Sequence, residues 1–326
     1  MSAPVLQLDK VCIRYPGAPA DAVRGVSFDL RRGETLGLVG ESGSGKSTLA
    51  AATMGLLPAG TAVQGAIRFE GRALFSEITD QQLRRLRGRR IGTISQDPFT
   101  ALNPVMRIGT QLDALLHWTH DRPKKDRMAR IETMLERVGL SDPKVRMAQY
   151  PHQMSGGILQ RISIAAAMLA EPTLLIADEP TTALDATTEA QILGIMAEAK
   201  ATLDGATLFI THDMSVVERL CDRIAVLYAG ELVETGTVRE VLDAPQHPYT
   251  RALLDCDPAR ITEPTRRLPT IEGTVPPIHK RPDGCIFAPR CPAAIARCHA
   301  EAPERHELGP RRSAACHLAS PTPVTP

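Results

Sequence analysis

Over its first 230 residues the chain alternates short apolar runs with helical patterns. Thr35 to Val39, Ile91 to Ser95, Thr173 to Ala177, Thr207 to Ile210 and Ile224 to Tyr228 read as strands, and their alternation with helices predicts an α/β domain around a largely parallel sheet. Val26 to Leu30 and Ala66 to Glu70 alternate apolar with polar instead. They predict an antiparallel portion beside the main sheet. From Pro104 to about Ala170 the strand pattern gives way to amphipathic stretches such as Ile108 to Trp118 and Arg127 to Val138, which predicts a helical insertion over about residues 100–170. Past Asp257 prolines crowd together, so no large helical domain is expected there. The expected organisation is an α/β domain over residues 1–256 and a small irregular extension over 257–326, with no internal repeat.

Composition narrows the class. A chain of 326 residues, 43% hydrophobic, can bury a sizeable core. No run approaches the roughly 18 apolar residues of a membrane-spanning helix, and Met1 to Val11 lacks the features of a secretory signal, so a cytoplasmic protein is expected. A net charge of +1 exerts no general pull on nucleic acid, and aromatics, at 3%, are too few for base stacking. The local run Arg84, Arg85, Arg87, Arg89 and Arg90 reads as a solvated helix face. Nucleic acid is therefore not expected as a partner. Cysteine is uneven: Cys285, Cys291, Cys298 and Cys316 crowd the tail, which in a reducing compartment points to metal before disulfides.

The strongest chemical signal is Gly40-Glu41-Ser42-Gly43-Ser44-Gly45-Lys46-Ser47-Thr48, between a predicted strand and a predicted helix. Such a glycine-rich loop turns backbone N–H groups onto phosphates, with the lysine neutralising charge and Ser47 placed to hold magnesium. Leu174 to Ala177 runs into Asp178-Glu179, two adjacent acids at the end of an apolar strand. Asp178 can reach a magnesium shell and Glu179 an attacking water. Gln96 and His212 each follow a predicted strand, where an amide can touch magnesium or water and an imidazole the γ-phosphate. Ser155-Gly156-Gly157 opens an apolar helical stretch, and reads either as a helix cap or as a second anion-binding helix start.

Together these residues resemble the nucleotide-binding subunits of ABC transporters over roughly Val5 to Tyr249. The resemblance makes residues 40–48 the ATP-binding Walker A loop, Gln96 the Q-loop, and Met154-Ser155-Gly156-Gly157 through Gln160 the signature, with Met154 where leucine is usual. It makes Asp178-Glu179 the Walker B pair, Asp185 the D-loop and His212 the switch histidine, with Tyr15 either stacking on adenine or packing. Gln96 to Pro104, Tyr150 to Gly157, and His247-Pro-Tyr-Thr250 followed by the cysteine-bearing tail further resemble the oligopeptide/dipeptide (and nickel) importer ATPases. That family implies ATP hydrolysis with Mg²⁺, Glu179, His212 and Gln96 in catalysis, and a signature that caps ATP held on a second subunit. It also implies two membrane permeases, a paralogous second ATPase subunit, an extracytoplasmic solute-binding protein and a peripheral position on the cytoplasmic face of the inner membrane. Import of nickel or another small solute is the alternative within the family, and a non-transport ABC ATPase the alternative outside it.

The tail cysteines are separated by gaps of five, six and seventeen residues. Zinc sites favour closer pairs, whereas spread thiolates can hold a cubane cluster, so the spacing favours iron and sulfur. The family resemblance also implies a four-iron four-sulfur cluster. Zn²⁺ remains open, with His299, His306 and His317 as stand-in ligands, and so do four unliganded thiols. Lying outside the ATP motifs, the tail is expected to be structural or redox-sensing.

Overall fold

Leu208-Phe209-Ile210 and Leu174 to Ala177 offer no polar side chain to solvent, and both become interior strands. The computed structural model describes residues 3–120, 122–182, 184–260 and 268–319. Its strands are β1 (Leu6–Arg14), β2 (Val23–Leu30), β3 (Thr35–Val39), β4 (Ala62–Phe69), β5 (Arg72–Ala73), β6 (Ile91–Ile94), β7 (Leu174–Asp178), β8 (Ala206–Thr211), β9 (Arg223–Tyr228), β10 (Glu231–Thr237), β11 (His306–Gly309) and β12 (Arg312–Ala314). They form a four-stranded sheet, β2-β1-β4-β5, and an eight-stranded sheet, β11-β12-β10-β9-β3-β8-β7-β6.

The smaller sheet is antiparallel throughout, and β1 and β2 alternate buried with more exposed positions, because only one face meets the core. In the larger sheet β9, β3, β8, β7 and β6 are parallel. Both faces of those strands are covered. Leu36, Leu38, Leu208 and Ile210 pack with the small sheet and with Leu49 of the helix Lys46–Met54, while Phe209 and Val226 face the second core. Each fully buried Leu or Ile contributes roughly 1.5–3 kcal/mol.

The second core joins the main sheet to the expected helical insertion, which comprises Pro98–Ala101, Ile108–Thr119, Lys124–Arg137, Pro143–Ala148 and Gly156–Leu169. Ile108, Leu112 and Leu116 recur every fourth residue on one buried face, and meet Ile131, Leu135, Leu159 and Ile162. In the arginine run, Arg84 and Arg85 are solvated on the helix Asp80–Leu86, as expected. Arg89 and Arg90 are also exposed but lie past the helix end, each held by specific partners. Arg89 donates to the Trp118 carbonyl and lies over that indole, and Arg90 binds Thr173 and Glu70.

The tail is not set apart from the main sheet. Its strands β11 and β12 continue the main sheet, with Glu234↔Ala314 and Thr235↔Ser313 in antiparallel register. Phe287 is fully buried against Tyr228 and Tyr249, at ring-centroid distances of 5.1 and 5.4 Å. A segment too poor in apolar residues for its own core thus borrows one. His247 starts the helix Pro248–Asp255, its Nδ1 accepting from the Tyr249 N–H at 3.0 Å. Burial pushes its pKa down to about 3, so it serves as a neutral cap.

Candidate functional site

The phosphate loop hangs between β3 and the helix Lys46–Met54. Gly40 has φ 153°, and a Cβ there would stand 2.1 Å from the Leu227 carbonyl oxygen. Gly45, the N-cap, has φ 103° and brings no side-chain cap, so the first helical N–H groups are presented to the loop. Lys46 Nζ donates to the carbonyls of Gly40 (2.6 Å) and Glu41 (3.1 Å). Burial lowers its pKa, while Glu179, Asp178 and Glu41 favour the ammonium form.

At the end of β7, Asp178 Oδ1 accepts from Ser47 Oγ at 3.5 Å. Burial raises the Asp178 pKa; the Ser47 bond and Lys46 oppose that rise and Glu179 adds to it. A half-buried carboxylate beside a serine hydroxyl offers two oxygen ligands to a divalent cation. Glu179 is held with φ 46°, a conformation uncommon outside glycine, its N–H bonded to the Ile210 carbonyl at 2.9 Å. Its Oε2 accepts from Thr182 Oγ1 (3.0 Å) and lies 3.4 Å from His212 Nδ1. Tyr15 Oη is 3.0 Å from Thr48 Oγ1.

These groups share one cleft of about 910 Å³. It is lined by Tyr15, residues 40–48, Gln96, Glu179 and His212, so the structure gathers what the sequence scatters over nearly 200 positions. Ser155 and Gly157 lie elsewhere, in a smaller cleft of about 260 Å³ with Thr188. Ser155 is exposed at the start of Gly156–Leu169 and its side chain makes no capping bond, which weakens the reading of that triplet as a cap. Asp185 caps the helix Ala186–Thr202 through Thr187 and Thr188, beside this second cleft. Met154 is buried, as an apolar replacement for leucine should be.

Gln160 lies deeper than the other signature residues. The resemblance has it act with the signature toward a second subunit, but it is 1% exposed and donates to the carbonyls of Pro180 (2.8 Å) and Ser95 (3.4 Å). It ties the signature helix to the segments after β7 and β6. Nor does any sequence signal bring the tail into the site. Pro269, Thr270, Ile271 and Ile278 line the large cleft, and Arg290 forms a bidentate pair with Glu41, at 2.7 and 3.1 Å. Tyr249, which the sequence marks only as part of a family motif, accepts from the Glu41 N–H at 2.9 Å. No spacing rule links positions 249 residues apart.

Three of the four tail cysteines, Cys285, Cys298 and Cys316, are buried and Cys291 partly so. Burial pushes the Cys285 thiol up to about 11, with Cys298 and Cys316 adding to the rise, and Cys291 and Cys316 are raised by burial and by their neighbouring thiols. Cys298 and Cys316 therefore lie within charge reach of both Cys285 and Cys291. Among the described residues, however, no group of three or more His, Cys, Asp or Glu side chains could hold a metal ion. His317 Nε2 is 2.9 Å from the Glu301 carbonyl.

Residues 23–182 match the family model described as ABC transporter, and residues 233–298 the one described as oligopeptide/dipeptide transporter, C-terminal region. The dipeptide transport ATP-binding protein DppD of Bacillus subtilis is 46% identical over 86% of this chain and 84% of its own length. The chain is an ABC transporter ATPase of the oligopeptide/dipeptide family. The oligopeptide transport ATP-binding protein OppD of Escherichia coli is 43% identical over 94% of this ABC ATPase and 90% of its own length. Among solved structures, the ATP-binding cassette MJ0796, described as a dimer in a post-hydrolysis state bound to ADP and Pi, superposes with a TM-score of 0.63 at 26% identity, covering 72% of this chain and 99% of that one. The protein cbiO1 of Clostridium perfringens, described as part of the ABC transporter complex cbiONQ, gives 0.64 at 25% identity, covering 74% and 92%.

Proposed function

We propose that this ABC ATPase binds and hydrolyses ATP as one of two nucleotide-binding subunits that power a membrane importer for dipeptides or oligopeptides. The observation that carries the reading is the single cleft in which the phosphate loop, Ser47 with its neighbour Asp178, and the Glu179–His212 pair meet. The loop N–H groups and Lys46 receive the phosphates, and Tyr15 lies at the cleft wall where an adenine ring can stack. Ser47 and Asp178 would hold the magnesium ion that screens phosphate charge. Glu179 orients and deprotonates the attacking water, and His212 holds its carboxylate and meets the γ-phosphate. Gln96 reaches the cleft from the end of β6.

Ser155 and Gly157 open a separate cleft of the same chain, which favours a shared site. Each ATP would be held on one subunit and capped by the signature of the other, so that closure and hydrolysis alternate with reopening. No helix among the described residues is long and apolar enough to cross a membrane. The passage itself would belong to two permeases, with solute choice resting on them and on an extracytoplasmic binding protein, and this chain would sit at the cytoplasmic face of the inner membrane. The second ATPase would be a paralogue.

The test is reconstitution. The purified chain should hydrolyse ATP slowly, and its assembly with permeases, partner ATPase and binding protein in vesicles should show ATP-dependent uptake of labelled dipeptide. Activity per chain that stays high and constant on dilution would reject the shared site. Uptake of another solute but no peptide would reject the substrate class.

For the tail, the gathering of Cys285, Cys291, Cys298 and Cys316 favours a four-iron four-sulfur cluster. Four thiolates from spread positions can hold a cubane cluster, and Cys285 lies within reach of the charge of Cys298 and Cys316. The cluster would staple the irregular segment. Anaerobically purified protein should be brown, with iron and sulfide in equal amounts, and Cys291→Ser should bleach it. Colourless protein with one zinc per chain would overturn the assignment.

A further inference from the structure

Glu41 is the sole acidic residue among positions 40–48. A carboxylate there faces the approach of a polyanion, and uncompensated it would repel the nucleotide that the loop N–H groups attract. The compensation comes from the tail. Arg290 places Nη1 2.7 Å from Glu41 Oε2 and Nη2 3.1 Å from Oε1, a fork matched to a carboxylate. Its remaining donors reach the carbonyls of Glu272 (2.9 Å, from Nε) and Ile271 (3.1 Å, from Nη2) and the Tyr228 hydroxyl (3.3 Å, from Nη1).

That side chain is 3% exposed, whereas Glu41 retains 29%. A guanidinium so withdrawn from water, with all its N–H groups directed at fixed acceptors, is held in one orientation. The Glu41 backbone is held as well, by the Tyr249 hydroxyl, and Tyr249 packs on Phe287 of the same tail segment. Ile271, whose carbonyl Arg290 braces, itself lines the cleft.

We propose that Arg290 is a positioning residue for ATP. It cancels the Glu41 carboxylate and draws it out of the phosphate cradle, so that nucleotide affinity depends on the docked tail. The inference rests on the cleft being an ATP site, and reaches beyond it by making a residue outside the recognised motifs set the charge of the loop. Lys46 does not substitute for Arg290: it lies within reach of the Glu41 charge, but its Nζ donates to the carbonyls of Gly40 and Glu41 rather than to that carboxylate, and it also faces Asp178 and Glu179.

The test is a double-mutant cycle on the purified full-length chain, with ATP affinity read by equilibrium binding at two salt concentrations. Arg290→Ala should weaken binding about tenfold, more at low salt than at high, as expected for an exposed charge left facing phosphate. On a Glu41→Gln background the same Arg290→Ala change should cost less than about twofold, because no carboxylate remains to be neutralised. Should the alanine variant fail to fold, Arg290→Gln keeps the inner part of the side chain and an amide donor without the charge, and takes its place in the cycle. Equal losses in both backgrounds would show that Arg290 acts only by packing the tail, and would overturn the proposal, as would unchanged affinity in the single variant. Absence of ATP binding by the unaltered chain would instead refute the ATP site itself.

Discussion

Glu179→Gln should leave ATP binding intact while lowering turnover of the assembled transporter by about 10² to 10⁴, the range a positioned base supplies. Glutamine matches the shape of glutamate, and the backbone that aims the side chain is fixed independently of it. The Glu179 N–H is bonded to Ile210 at 2.9 Å and φ is held at 46°. The amide can still meet Thr182 and His212, which engage Oε2 in the native site. What it cannot do is take a proton from water. Parallel measurement of nucleotide affinity and steady-state phosphate release separates the two effects. Near-native turnover by this variant would remove Glu179 from the role of base.

Gly40→Ala is expected to destroy the cradle itself. The added Cβ would stand 2.1 Å from the Leu227 carbonyl oxygen and 2.9 Å from Ser44 Oγ, at a φ of 153° that L residues avoid. Leu227 cannot yield easily, because it lies in β9, paired with Leu232 of β10 in the interior of the large sheet. The loop must move instead. Backbone strain and overpacking together should cost about 3 kcal/mol or more, and ATP binding should be lost. Gly43→Ala makes an informative contrast. Gly43 has φ 78°, but a methyl group added there would meet nothing within 4 Å, so the variant should lose only the 1–2 kcal/mol or so of left-handed backbone strain. Thermal unfolding and nucleotide binding measured on both variants decide the matter; a Gly40→Ala protein with native affinity would refute the steric account.

The phosphate loop and the Asp178–Glu179 pair were legible because their motifs are local. A strand, a glycine loop and a helix start follow one another in residues 35–54, and an apolar run announces Asp178 and Glu179. The helical insertion was legible from its periodicity, as in Ile108, Leu112 and Leu116. The tail was not. Its two short strands carry little pattern of their own, and they exist because β10 offers an edge to pair with. Arg290 and Glu41 are brought together by tertiary packing around Phe287, which no periodicity encodes. Gln160 presents the opposite case. It stands inside a recognisable motif, yet burial assigns it to the backbone of Pro180 and Ser95.

The pairing of β12 with β10 also settles how the large sheet ends. Without residues 306–314, β10 would be a terminal strand seven residues long, presenting free amide and carbonyl groups to any passing chain. With them, the sheet closes on β11, four residues long, in which His306 and Glu307 are exposed. A short terminal strand carrying a charged side chain is a poor template for further strand addition. The tail is thus also a hem, sewn onto the sheet where it would otherwise fray into its neighbours.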